Sequence, residues 1–163
     1  MITISGDTDE PSPEAVNLII AATSPAQIRV DEVEAGPVRT SAFTSSGYSL
    51  GRGIPQYALA GNDDHLLVRI EHTLTIGDDD STAQTTIRVV HLATFECTDD
   101  LETTAPAIAE WFETAVYFII YPYVRQFFTA LTADMGIPPV VLDYLRQPQR
   151  DDSGSTDAST NHE

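Results

Sequence analysis

The stretch that decides the fold runs from Ala107 to Leu145, AIAEWFETAVYFIIYPYVRQFFTALTADMGIPPVVLDYL. Its apolar and aromatic residues return at i, i+3, i+4 and i+7 spacing: Ile108, Trp111, Phe112, Ala115, the run Tyr117 to Ile120, Val124, Phe127, Phe128 and Leu131. That period is helical and predicts one long amphipathic helix. Pro122 lacks an amide hydrogen and its ring crowds the Phe118 carbonyl, so the helix is expected to kink or restart there. Gly136 suits the left-handed residue just past a helix end, and Pro138 and Pro139 cannot continue the turn, so the helix stops before them. Trp111, Phe112, Tyr117, Phe118 and Tyr121 span a wide arc of the helix. One sheet covers one face only, which leaves the remainder for an oligomer interface, a ligand groove, or both.

Upstream, the clearest strand pattern lies in His65 to Ile76, where Leu66, Val68, Ile70, Leu74 and Ile76 alternate with Arg69, Glu71, Thr73 and Thr75. After an acidic hairpin loop, Gly77 to Ser81, the segment Thr82 to Cys97 repeats the alternation with Ile87, Val89, Ala93, Phe95 and Cys97 on one parity. Gln27 to Ala35 is a third strand, whose alternation of Ile28, Val30 and Val33 slips near Asp31 and so predicts a bulge. Pro37 to Pro55, rich in Gly, Ser and Thr, reads as a crossover with one irregular strand around Ala42 to Leu50. Ser12 as N-cap, Pro13 and Glu14 open a short helix that Thr23, Ser24 and Pro25 end. Strands followed by a long helix give an α+β plan, with helices on one face of an antiparallel sheet. Residues 1–11, polar apart from Ile2 and Ile4, read as a flexible N-terminus; residues 12–146 form a single domain; residues 147–163 read as a disordered acidic tail.

Eight Arg, no Lys and 25 Asp plus Glu give a net charge of −17. Such a surface disfavours nucleic acid and anionic membranes and favours cationic partners. A single cysteine, Cys97, excludes an internal disulfide framework, and no stretch reads as a signal peptide or a membrane span, so the simplest compartment is the cytosol. No catalytic constellation emerges. His65, His72, His91 and Cys97 lack tight ligand spacing, which argues for structural or surface histidines and against a metal. Gly47, Gly51 and Gly53 have no following Lys-Ser/Thr, so neither ATP nor another cofactor is implied and the chain reads as a non-enzyme.

The string Ile120, Tyr121, Pro122, Tyr123, Arg125, Gln126, followed by Gly136, Pro138, Pro139 and Leu142, resembles the signature of the SecB family of cytosolic chaperones. That family carries L-[FY]-P-Y-x-R-[EQ] on its long helix, then Gly and a Pro-rich return. The order strand, crossover, strand, hairpin, strand, kinked helix is also the family's, so the resemblance covers roughly residues 26 to 145. The short N-terminal helix is similar to SecB-like chaperones that accompany toxin–antitoxin pairs. The resemblance implies a four-stranded antiparallel sheet of SecB type, a homo-tetramer built as a dimer of dimers, and an ATP-independent holdase for unfolded polypeptides. It places Phe43, Tyr48 and Tyr57 of the crossover in a client groove, to which Trp111 and Tyr117 of the helix are added, and it matches Glu32 to an acidic partner residue, which the neighbouring charges of Asp31 and Glu34 extend to an acidic partner surface. The chain departs from export-pathway members in two respects. Asp143, Tyr144 and Leu145 run into Arg146, Gln147 and Pro148 where a second helix would open, and Arg88 stands where an acidic residue toward SecA is expected. These departures favour a specialised client such as an antitoxin over SecA. The competing reading is an interaction module that binds one folded partner through the same scaffold.

Overall fold

The computed structural model describes residues 1–6, 10–38, 47–61, 63–77, 84–97 and 100–145. Its centre is the hairpin of β5 (His65–Ile76) and β6 (Thr85–Cys97), paired antiparallel from His65↔Glu96 to Ile76↔Thr85. Every even residue of β5 from Leu66 to Ile76 is buried, as are the odd residues of β6 from Thr85 to Phe95, so one face of the hairpin is core. β2 (Thr23–Ala35) pairs with the far side of β6, and its register shifts between Val30 and Glu32, at the slip the alternation predicts.

The opposite edge is made in two pieces. β3 (Tyr48–Arg52) pairs with β5 from Tyr48↔Ile76 to Arg52↔His72, and β4 (Gln56–Ala60) continues from Gln56↔Arg69. The break at Gly53, Ile54 and Pro55 inserts one residue, so Tyr48, Leu50 and Arg52 share a sheet face with Tyr57 and Leu59 despite their opposite parity. Gly53 donates its amide to the Glu71 carbonyl at 2.9 Å, and a Cβ there would come within 3.2 Å of the Glu71 Cβ. The sheet thus has four positions, β2-β6-β5-β3, with β4 sharing the last. This is the expected four-stranded antiparallel plan, but the irregular crossover strand begins at Tyr48; Phe43 and the residues around it lie outside the described ones.

The N-terminus departs from its reading as a flexible segment. Ile2–Ser5 forms β1, parallel to β7 (Leu101–Thr104), with Ile2 only 2% exposed and its amide bonded to the Asp63 carbonyl at 2.7 Å. Two apolar residues were too weak a pattern to announce a strand whose partner lies about a hundred residues away. The short helix α1 (Pro13–Ala22) starts as predicted, with the Ser12 hydroxyl accepting from the Ala15 amide at 3.2 Å.

The long helix is continuous from Ala105 to Asp134 in three parts: α2 (Ala105–Trp111), a π-helical turn (Phe112–Val116) and α3 (Tyr117–Asp134). Here the structure corrects the expectation of a restart at Pro122. Helical backbone runs through Pro122, because Ile120, Tyr121 and Val124 are buried on either side of it and hold the helix to the sheet. The irregularity falls earlier, where the Thr114 hydroxyl takes the Glu110 carbonyl at 2.8 Å and the Tyr117 amide reaches back to the Phe112 carbonyl. Such side-chain bonding to i−4 loosens the α-helical ladder.

The helix ends as the sequence predicts. Gly136 has φ +72°, its amide bonds to the Ala133 carbonyl at 3.0 Å, and the Ile137 amide bonds to the Thr132 carbonyl at 2.9 Å, the paired bonds of a Schellman cap. A Cβ at Gly136 would meet nothing within 4 Å, so Gly136→Ala carries only the backbone penalty. It is expected to lower stability by about 1–2 kcal/mol, read as a shift in denaturant midpoint at constant slope; an unshifted midpoint would mean the left-handed cap is not formed in solution.

Candidate functional site

The Pro-rich return is strapped to the helix by the signature residues. Tyr121 donates its hydroxyl to the Asp143 carbonyl at 2.7 Å, and Arg125 Nε donates to the Leu142 carbonyl at 2.6 Å, its guanidinium lying 4.0 Å from the Tyr144 ring centre. Thr129 donates to the Val140 carbonyl at 2.9 Å, and Val140 returns its amide to the Thr132 hydroxyl at 3.0 Å. Backbone without a sheet partner is thereby satisfied by side chains one and two turns apart on one helix face. Tyr121, Arg125 and Gly136 therefore build the fold of the return, with Pro138 and Pro139 exposed on its outside; Pro122 and Tyr123 face solvent.

The aromatic residues divide. Trp111 is 2% exposed with its ring 4.9 Å from that of Phe95, so within the chain it is core and does not line an open groove; the i, i+4 pattern it obeys is the one that buries it. Tyr57 and Tyr117 come into one aromatic cluster through Phe112, between the β3–β4 edge and the helix, whereas Tyr48 stands apart, opposite Ile76 of β5 where Tyr57 is opposite Val68. Tyr48 is 43% exposed and donates to the Val141 carbonyl at 3.1 Å. Tyr57 meets Phe112 edge-on at 6.3 Å, and Tyr117 stacks on His72 at 5.8 Å with its hydroxyl 3.3 Å from His72 Nε2. Burial pushes the Tyr57 and Tyr117 phenols up to about 12, so both are neutral.

Two residues that the sequence reading missed pack over this cluster. Arg52 on β3 makes a bidentate pair with Glu113 of the π turn, at 2.9 and 2.8 Å, and lies 4.5 Å from the Tyr117 ring centre and 5.6 Å from that of Phe112. Glu113 directly after Trp111 and Phe112 was the available signal, but its pairing with Arg52 depends on the strand register. Below them Tyr57 Oη and His72 Nδ1 are buried without a hydrogen-bond partner among the described residues.

The acidic surface is corrected too. On the sheet face away from the helix, Glu32 is bonded to Arg69 at 2.7 Å and to Arg88 at 3.1 Å, Arg88 also holds Glu71 at 2.6 Å, and Asp31 lies 3.7 Å from Arg69 and 3.8 Å from Arg29. Arg88 and Arg69 hold the Glu32 carboxyl below the usual range. The register that sets Glu34 opposite Arg88 interleaves the acids with arginines, so this patch is a mixed-charge network. Strand charges alternating by face cannot show this until the pairing is known.

On the helix-covered face, β2 is left partly open. Val30 and Val33 are 39% and 48% exposed, and Ile28 and Val30 face Tyr123, Phe127 and Ala130 of α3 across an apolar cavity of about 290 Å³ with His91 in its wall. Among the described residues there is no cluster of three or more metal-ligating side chains, and no helix is long and apolar enough to cross a membrane.

An antiparallel sheet with one long helix on its inner face and a short N-terminal helix is the SecB-like fold. Among solved structures the chain is similar to the Mycobacterium tuberculosis Rv1957 SecB-like chaperone, determined in complex with a ChAD peptide from the Rv1956 HigA1 antitoxin. The TM-score is 0.69 at 22% sequence identity, over 83% of this chain and 99% of that one. A protein of unknown function from Streptococcus agalactiae aligns at TM-score 0.44 and 13% identity, over 75% and 97% of the two chains. No family model and no curated protein matches the sequence.

Proposed function

We propose that this protein is an ATP-independent, SecB-like chaperone that holds unfolded or partly folded polypeptides, with an antitoxin as a specialised client. The single observation that carries the reading is the shared fold with a SecB-like chaperone whose structure holds an antitoxin peptide. The neutralised acids on β2 favour such a client over SecA, since Asp31 and Glu32 already have arginine partners. The reading places the protein in the cytosol. It also makes it a homo-tetramer: the edge of β2, unpaired among the described residues, and the apolar cavity beside it suit a second copy, and the blunted β3–β4 edge does not. Tyr48 and Tyr57, with Phe43 from the crossover, are proposed to line the client groove.

The test is suppression of aggregation of several unrelated unfolded proteins without nucleotide, with light scattering giving the assembly state. A holdase suppresses all of them; an interaction module for one folded partner suppresses none. Tyr48→Ala and Tyr57→Ala are expected to weaken binding of a reduced, unfolded model protein, with little loss of thermal midpoint for the exposed Tyr48 and a larger one, short of unfolding, for Tyr57, whose ring packs on Phe112. Both variants binding like the wild type, or both unfolding, would remove the groove assignment.

A further inference from the structure

Arg52 and Glu113 tie the edge strand to the helix across 61 positions of sequence. Each stands at an irregularity of its own element: Arg52 is the last residue of β3 before the Gly53–Pro55 break, and Glu113 lies in the π turn. Both side chains are partly exposed, at 33% and 48%. Ion pairs so placed add little to stability, are screened by salt, and open readily. What they cover is unlike ordinary core. Tyr57 meets Phe112 edge-on, Phe112 lies against Tyr117 and Tyr117 stacks on His72, and in this run of rings Tyr57 Oη and His72 Nδ1 are buried without hydrogen-bond partners among the described residues. Buried polar atoms of native proteins are nearly always bonded, so two orphans in one aromatic cluster mark a place that an incoming group completes. The π turn adds to this, since such turns gather at functional positions.

Resting on the polypeptide-binding reading, we propose that the Arg52–Glu113 pair is a latch over a closed subsite of Tyr57, Phe112 and Tyr117. The latch opens to seat one apolar side chain of an extended segment, and a basic residue beside it replaces Arg52 on Glu113. The segment's peptide groups supply the bonds that Tyr57 Oη lacks. A cationic neighbour is chosen because the chain carries −17, so basic segments are drawn to it and acidic ones repelled. The displaced guanidinium remains over the Tyr117 ring, where it costs the opening least.

Nitration of tyrosines by tetranitromethane, mapped by mass spectrometry, reads the latch without any client. In Glu113→Gln, Tyr57 and Tyr117 are expected to nitrate several-fold faster than in the wild type, while Tyr121, held by the Asp143 carbonyl, keeps its rate. Added salt should speed Tyr57 and Tyr117 in the wild type and leave the variant unchanged. Equal rates in the two proteins, or a rise that includes Tyr121, overturn the latch. Two short peptides that differ only in Lys or Glu beside a Leu-Phe pair then test the occupant: the Lys peptide should protect Tyr57 and Tyr117, and protection by the Glu peptide alone overturns the stated chemistry. Faster nitration in the variant, with no suppression of aggregation by either protein, supports the latch and removes the holdase reading. Suppression with equal nitration does the reverse.

Discussion

Lowering the pH from about 7 to about 4 is expected to destabilise this protein strongly, through two histidines held neutral beneath the helix. His72 is fully buried and His91 is 1% exposed; neither Nδ1 has a hydrogen-bond partner among the described residues. Burial pushes His72 down to about 3, with His91 and Arg52 adding to the effect, and pushes His91 down to about 4. The unfolded chain takes up both protons near 6.5, the ordinary histidine value, whereas the fold resists them until about 3 and about 4. More protons are then bound in the unfolded state, so stability is complete above about pH 6.5 and falls steadily below it. At about 1.4 kcal/mol per unit of depression, the two together remove several kcal/mol by about pH 4, a large share of the roughly 5–15 kcal/mol that holds a domain. Glu32, whose carboxyl is held low by Arg88 and Arg69, adds a smaller loss as it is protonated at still lower pH. Guanidinium unfolding across this range should show the midpoint falling, and His91→Leu should flatten the slope. A wild-type midpoint constant from about pH 7 to about pH 4 would show that the two rings are not buried neutral in solution.

Trp111→Ala should be the most damaging single truncation on the helix, at about 3–5 kcal/mol. The indole is 2% exposed and packs edge-on to Phe95, itself 1% exposed near the C-terminal end of β6, so removing it leaves a cavity where α2 meets the sheet. Tyr48→Ala on the opposite edge removes a ring that is 43% exposed and should cost far less. Thermal and chemical denaturation of the two variants side by side separate core from crevice. Should Trp111→Ala lose less than Tyr48→Ala while weakening client binding, Trp111 would belong to the groove after all.

The long helix, its Gly136 stop, the two central strands and the bulge in β2 were legible because each is a local pattern of period 3.6 or 2, or a residue with a special backbone preference. The helix signature was legible as a string, and its physical content, side chains of Tyr121 and Arg125 satisfying the carbonyls of Asp143 and Leu142, follows from helical spacing once the return is laid beside it. β1 was not legible, since a four-residue strand carries almost no period and takes its stability from Leu101 to Thr104 far along the chain. That the helix continues through Pro122 without a restart was also hidden. Intrinsic propensity argues for a break there, and the packing of Ile120, Tyr121 and Val124 against the sheet outweighs it.

By itself, the sequence determined which residues must be covered and which backbone must turn: the apolar parity of β5 and β6, the helix face from Ile108 to Phe128, and the caps at Ser12 and Gly136. Only the tertiary structure decided which aromatic residues are core and which edge a crevice, because Trp111 and Tyr117 obey the same helical period and differ in what the sheet sets opposite them. It alone decided the charge of the β2 surface, since Glu32 is an acidic site or half of an ion-paired network depending on whether Arg69 and Arg88 are brought to its face. The physical reason is the same in both cases. A side chain's spacing along the chain dictates its direction, whereas its burial and its electrostatic environment are set by the register and packing of elements remote in sequence.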